Sequence, residues 1–327
     1  MSKYLIFRTD RIGDFIFSRV ITDSIKKNDP RSTIDCVCSR YNSNYIKNYK
    51  DIKNIYILDK YNILQLLKIL FIINKKRYDK LLILDGKRRS IFFSIFTNVK
   101  KKYVLLKSFK SKIILNFFFD KYFINSETNS QFQNFTSLIN FMNFKIPKKI
   151  DYYNSYDFNN YYNKAIKGKY NLLHLDEKWF EGYYFNDFRY MNLNHLNFNL
   201  LIKTILKKNN INTIITSGQF KIDQLNLIKK IHFNKINANL YISKKYGKKL
   251  IILDNTSFRD LENIVKRSNY LICCEGAISH VSNAFDIKTI ALVQNLAFAR
   301  FWTSHMKNIK LIPRTSVKNI CKMINKL

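Results

Sequence analysis

The chain has 327 residues, 46% of them hydrophobic, and a formal net charge of +34. That apolar content excludes wholesale disorder, and the length accommodates two domains of ordinary size. A field of this sign draws phosphate-bearing partners such as nucleotides, nucleic acid or anionic lipid, although an AT-rich genome alone also enriches Lys, Asn, Ile, Tyr and Phe.

In chain order, short runs rich in Ile, Leu, Val and Tyr predict strands over 3–8, 33–38, 54–58, 80–84 and 102–106. Longer amphipathic runs between them predict helices over 14–28, 61–76, 87–98 and 131–142. The polar, Asn- and Tyr-rich stretch 143–168, with Pro147 and Gly168, breaks the rhythm and places a domain boundary near residue 155. Beyond it, strands are predicted over 169–175, 211–216, 250–253, 270–274 and 288–293, and helices over 196–209, 221–233, 257–268 and 277–285, with a terminal helix over 315–327. Many strands are continuously apolar, as in a parallel sheet covered on both faces. The alternation reads as α/β, with an N-terminal Rossmann-like domain over 1–155 and a C-terminal one over 156–327. The terminal helix is left free to pack back on the first domain.

Charge is concentrated in residues 60–121, with 16 basic and 3 acidic side chains, the best stretch for a basic surface. The most apolar run, ILQLLKILFII, is too short and too polar to span a bilayer. The Phe- and Leu-rich runs 61–76 and 113–123 are read as core helices in preference to interfacial ones. Five cysteines, Cys36, Cys38, Cys273, Cys274 and Cys321, lack disulfide or zinc-site spacing and read as buried, reduced thiols of a cytoplasmic protein without a signal-peptide pattern.

Four of the seven glycines (Gly13, Gly86, Gly218, Gly276) follow predicted strand ends, where ligands of open α/β sheets bind. Glycine there serves positive φ or close backbone approach. Asp14, opening the first helix, is either a cap that favours the helix dipole or a carboxylate placed as a general base. Near the other end, YLICC runs into EGAISH, a small-residue turn opening a helix, suited to a phosphate on backbone N–H groups or to a tight connection with a buried His280. Lys178 follows a strand end beside Trp179, and Thr216, Ser217 and Gly218 end another strand. No GxGxxG fingerprint and no P-loop is present.

In order, these segments resemble family 9 glycosyltransferases, the heptosyltransferases of lipopolysaccharide assembly and their relatives. The family pattern R-x-D-x-x-G-D is matched by RTDRIGD, Arg8 to Asp14, and D-[ST]-G-x-x-H-x-A-x-A by EGAISHVSNA, Glu275 to Ala284. The weaker K-W match is Lys178 and Trp179. The resemblance implies a GT-B fold, two Rossmann-like domains facing a cleft, and inverting sugar transfer without a cofactor or metal. It implies Asp14 as general base, with Arg8, Asp10, Arg11 and Gly13 on the acceptor side. Lys178, Thr216, Ser217, Gly218, Glu275, Gly276, Ala277, Ser279 and His280 would hold a nucleotide-sugar donor, with ADP-heptose the first suggestion. The acceptor would be a lipid-linked or phosphorylated glycan, met by peripheral contact with the inner face of an anionic membrane. Glu275, Gly276 and Ala277 depart from the pattern's D-[ST]-G and leave the donor sugar open. Two alternatives stay beside this reading: a basic nucleic-acid-binding protein, although no nucleic-acid motif is found, and a donor-binding pseudo-enzyme.

Overall fold

The computed structural model describes residues 1–58, 62–106, 117–124, 129–147, 166, 168–180, 191–208, 211–218 and 222–326. Two compact units divide the chain, Met1–Tyr153 and Asn154–Leu327.

The first unit runs β1 (Lys3–Arg8), α1 (Ile12–Asn28), β2 (Thr33–Cys38), α2 (Arg40–Ile46), β3 (Ile52–Ile57), α3 (Ile63–Lys76), β4 (Lys80–Ile83), α4 (Arg88–Ile95), β5 (Lys101–Leu106), β6 (Lys121–Ile124) and α5 (Gln131–Phe141). Its six strands are all parallel in the order β3-β2-β1-β4-β5-β6, the order of a dinucleotide-binding sheet. Alternation along β1 sends Leu5 and Phe7 into a core with Ile69 and Ile73 of α3 and Phe93 of α4. On α1 and α5, Phe17 packs against Phe135 with ring centroids 5.2 Å apart.

The second unit runs β7 (Tyr170–Leu175), a single 3₁₀ turn (Glu177–Trp179), α6 (His195–Lys208), β8 (Asn212–Ser217), α7 (Asp223–His232), β9 (Asn234–Lys235), β10 (Leu240–Lys245), β11 (Lys248–Leu253), α8 (Phe258–Lys266), β12 (Tyr270–Cys274), α9 (Ala277–Ala284), β13 (Lys288–Val293), α10 (Leu296–Thr303), β14 (Ile309–Pro313) and α11 (Val317–Asn325). Its sheet is ordered β14-β13-β12-β7-β8-β11-β10-β9. Counted within the unit, the six parallel strands repeat the order of the first sheet. A hairpin then extends one edge, with β10 antiparallel to β11 and β9 antiparallel to β10. Tyr246 and Gly247 both take left-handed φ, 51° and 72°, in the two-residue turn between them, as the twist of a tight hairpin requires.

Several sequence expectations change. The helix α2, the strands β6, β9, β10 and β14 and the helix α10 were not among the predicted elements. The run 113–123 is not a helix over its described part: residues 117–120 make a turn and bend, and β6 follows, while 107–116 lie outside the described residues. The run 61–76 is a core helix on one face only: Ile69 and Ile73 are buried and Leu66, Leu70 and Ile72 pack against their cluster, while Leu64, Leu67 and Phe71 are exposed. Val317, Ile320, Cys321 and Ile324 of α11, the terminal helix, join Phe198, Leu201 and Ile205 of α6 in the core of the second unit. All five cysteines are free and buried.

Phe135 is fully buried against Phe17 and beneath the Arg8 guanidinium, 5.7 Å from its ring. Phe135→Ala should therefore cost about 3–5 kcal/mol in urea unfolding; a loss under about 1 kcal/mol would show that α5 does not pack there.

Candidate functional site

In an open α/β sheet, the crossovers on either side of the point where strand order reverses go to opposite faces and leave a crevice at the carboxyl ends. That point lies between β1 and β4 in the first unit and between β7 and β12 in the second. The sequence-predicted residues gather largely at these two places.

In the first unit, β1 ends on Arg8, whose side chain is buried beneath the loop that follows. Its Nη1 donates to the Leu84 carbonyl beyond β4 at 2.6 Å and its Nε to the Asp14 carbonyl at 3.1 Å. Its guanidinium also lies 3.6 Å from Asp10 and 3.7 Å from Asp14. Asp14 occupies the first turn of α1, where Oδ2 accepts the Arg11 backbone N–H at 3.2 Å and closes the helix end. Its side chain keeps 28% exposure, so the carboxylate is a cap and is also open to a ligand. Gly13 lies inside α1 and makes no turn, and of the four strand-end glycines only Gly86 takes a left-handed φ, 57°.

Asp85, which the sequence reading missed, organises this loop. It is buried at the end of β4, accepting Thr9 Oγ1 at 2.6 Å, Ser90 Oγ at 2.7 Å, and the backbone N–H groups of Thr9 and Lys87 at 3.1 Å each. Lys87 then donates to the Thr9 carbonyl at 3.1 Å and faces Asp10 at 3.3 Å. Asn42 of α2 donates to the Arg8 carbonyl at 2.9 Å. The only local sign of Asp85 was an aspartate ending an apolar run before a glycine.

In the second unit, the sequence DEKW folds into the 3₁₀ turn for a clear reason. Asp176 caps it, accepting the Lys178 N–H at 3.2 Å, and Trp179 is fully buried in the core. Lys178, between them, reaches across to β12, where Nζ donates to the Glu275 carbonyl at 2.5 Å. A Cβ on Gly276 would stand 3.0 Å from that nitrogen, so the absent side chain gives the ammonium its room. The φ of Gly276, 161°, is ordinary extended backbone. Gly276 caps α9, whose first-turn N–H groups face the carboxyl edge.

Electrostatics at this edge are strongly shaped by burial. Desolvation pushes the Asp176 carboxyl up to about 7, with Lys178 the chief group pulling it back down. Burial alone would lower the Lys178 ammonium, but the acidic groups around it, Asp176 first, more than offset this and raise it. Arg314, after β14, is lowered by burial while Cys274 and Asp176 favour its charge. The ring of His280 stacks on His305 at 6.4 Å and 12°, and burial with the His280 charge lowers His305 to about 3. His305 and Arg314 belong to no motif and meet the turn only in space.

The remaining predicted residues have structural partners. Thr216 Oγ1 lies 3.0 Å from His174 Nδ1, and Ser217 Oγ donates to Asp254 at 2.5 Å, which also binds Lys229. Ser279 is buried and donates to the Gly276 carbonyl at 2.7 Å, an internal cap. Glu275 and Ala277 are half-buried beside Gly276, and Gly218 ends the described part of its loop with open space where a Cβ would stand.

Two α/β units, each with the strand order of a nucleotide-binding domain and polar groups at the reversal point, define the GT-B class of fold. Three solved structures carry it over nearly the whole chain. A family 9 glycosyltransferase from Veillonella parvula is 13% identical, with 99% of this chain and 91% of that one covered and a TM-score of 0.73. The E. coli ADP-heptose LPS heptosyltransferase II is 10% identical, with 100% and 98% covered and a TM-score of 0.70. The E. coli heptosyltransferase WaaC with ADP-2-deoxy-2-fluoro heptose is 11% identical, with 99% of each chain covered and a TM-score of 0.68. No family model matches the sequence, and no curated protein matches it. At such identities the likeness is one of fold, and one fold hosts many chemistries.

His174 gives a pH test of the second unit. Burial, with the Lys178 charge, lowers it from 6.5 to about 3. Between those values the unfolded chain binds the extra proton, so the stabilisation is complete above pH 6.5 and is lost as pH falls toward 3. The slope is up to about 1.4 kcal/mol per pH unit. His174→Asn should flatten the acid limb of stability measured by urea unfolding across that window; an unchanged slope would mean His174 is not held neutral.

Proposed function

We propose that this chain is an inverting glycosyltransferase that moves a sugar from a nucleoside diphosphate carrier to a hydroxyl of a glycan acceptor. The observation that carries the reading is Lys178, fixed across the strand-order reversal of the second sheet beside the N-terminus of α9. An ammonium beside the N-terminus of a helix suits a diphosphate, and it suits the charge that grows on it as it departs.

In this reading the first unit takes the acceptor and the second the donor. The Asp14 carboxylate accepts the proton of the acceptor hydroxyl. The hydroxyl oxygen attacks the anomeric carbon from the side opposite the diphosphate, and the C–O bond to the carrier breaks with its electron pair leaving on phosphate. Lys178 and the α9 N–H groups stabilise that charge. His280, stacked on His305, borders the donor, and Glu275 stands where the sugar would lie. Arg8, Asp85 and Lys87 hold the loop that presents Asp14. A donor of the ADP-heptose type and a lipid-linked, phosphate-bearing glycan acceptor are the substrates that the likeness to the two E. coli enzymes favours, met at the inner face of a membrane.

Asp14→Asn should leave donor affinity unchanged and reduce transfer by about 10²–10⁴-fold, the span of general-base catalysis; wild-type turnover would leave Asp14 as a cap alone. Lys178→Ala and His280→Ala should each weaken donor binding, and Gly276→Ala should do so by displacing the ammonium. Unchanged donor affinity in all three would remove the donor site from this turn. A panel of nucleotide sugars read by thermal shift identifies the donor, since a ligand at 100 times its Kd stabilises by about 2.7 kcal/mol. Donor binding without transfer to any glycan would identify a pseudo-enzyme.

A further inference from the structure

The helices α3 and α4 share one face of the first sheet, with Ile69, Ile73 and Phe93 in a common core. Their ends are tied together, since Asn74 Nδ2 donates to the Phe96 carbonyl at 3.1 Å and Asn74 Oδ1 accepts the Asn98 N–H at 2.7 Å. The outward faces are unusual for a water-facing surface. On α3, Leu64, Leu67 and Phe71 are 80%, 58% and 70% exposed, and Phe92 on α4 and Phe96 at its C-terminal end are 64% and 54% exposed. The spacings 64/67/71 and 92/96 put each set on a single helical stripe. The rings of Phe92 and Phe96 touch each other, 5.2 Å between centroids.

The polar residues of these stripes are of one sign. Lys68 and Lys75 interrupt the α3 stripe, Arg88 heads the α4 stripe, and neither helix contains a carboxylate. Long cationic side chains beside apolar ones can lay their stems on hydrocarbon and lift their charges to a headgroup layer. A protein partner of mixed charge would leave these cations unmatched, whereas a surface of phosphate headgroups over acyl chains meets both features. Neither helix is long and apolar enough to cross a membrane. We propose that the outward faces of α3 and α4 form a docking surface for an anionic lipid bilayer. The surface belongs to the first unit alone. It deepens the reading above by bringing the protein to where a lipid-linked acceptor resides, yet it is measured without any sugar transfer.

The test is co-sedimentation of the full chain with phosphatidylcholine vesicles, with and without phosphatidylglycerol, at low and high salt. The quadruple variant Leu64→Gln/Leu67→Gln/Phe71→Gln/Phe92→Gln should lower partition onto the anionic vesicles by about tenfold or more and remove the part that survives high salt. The control Leu227→Gln/Ile231→Gln, at exposed positions of α7 in the second unit, should leave it unchanged. For wild-type protein, hydrogen exchange should slow on α3 and α4 when anionic vesicles are added, a readout that needs no variant. Equal partition of the quadruple variant and wild type would overturn the proposal, as would an equal loss in the control. Complete release of wild type by salt would also overturn it, leaving only the general charge as cause. A dimer that forms through α3 and α4 in light scattering and is abolished in the quadruple variant would assign the surface to a second copy instead. Loss of vesicle binding with donor affinity intact separates this surface from the donor site.

Discussion

A cation bridges the strand-order reversal in each unit, fully buried in the first and half-buried in the second. In the first, Arg8 at the end of β1 reaches the Leu84 carbonyl beyond β4, and in the second, Lys178 beyond β7 reaches the Glu275 carbonyl beyond β12. These are corresponding strands, first and fourth in two sheets of the same order. A charge withdrawn from water costs several kcal/mol unless hydrogen bonds and counter-charges replace the solvent. The surroundings of each cation are therefore constrained to supply them. Asp10, Asp14 and the Asp14 carbonyl do so for Arg8, and Asp176 and the Glu275 carbonyl do so for Lys178.

This constraint accounts for where a very basic chain puts its acids. With 23 Asp and Glu against 57 Lys and Arg, carboxylates are scarce. Asp10, Asp14 and Asp85 nevertheless crowd one carboxyl edge, and Asp176, Glu177, Asp254 and Glu275 lie at strand ends along the other. Each does a local job, closing a helix, holding a loop or neutralising a cation. The result is an ordered polar rim at the two places where an open α/β sheet can hold a ligand. Chemistry at those rims is then a matter of which oxygen or ammonium remains accessible, and Asp14 and Lys178 combine a structural partner with a position facing outward.

The fold was legible where the chain buries both faces of a strand. LIF in β1, YLICC in β12 and IALV in β13 announce themselves as continuous apolar runs, and the resemblance of RTDRIGD and EGAISH supplied the expectation of two Rossmann-like units. What stayed hidden depended on contacts distant in sequence. The helix RYNSNYI has almost no apolar periodicity and is held by Ser39 and Asn42, the latter bonded to the Arg8 carbonyl. The strands β10 and β14 are diluted by lysine and proline. Asp14 stood in a recognisable pattern, but Asp85 acts through Thr9, 76 residues away, and His305 meets His280 only by folding. Gly13 and Gly276 do not serve left-handed turns, for a physical reason. One is helical, and the other makes space for a lysine nitrogen, which no local rule about φ reveals.

The hairpin at the edge of the second sheet has a bearing on colloidal behaviour. An outermost strand offers unpaired N–H and C=O groups on which another chain can assemble into fibrous aggregates. Here the extension ends in a two-residue, fully exposed strand, and Lys244, Lys245, Lys248 and Lys249 flank the turn that leads back into the sheet. Two identical edges of this kind repel each other before their backbones can pair. Part of the lysine excess thus acts as insulation that keeps a long, β-rich half of the chain from polymerising.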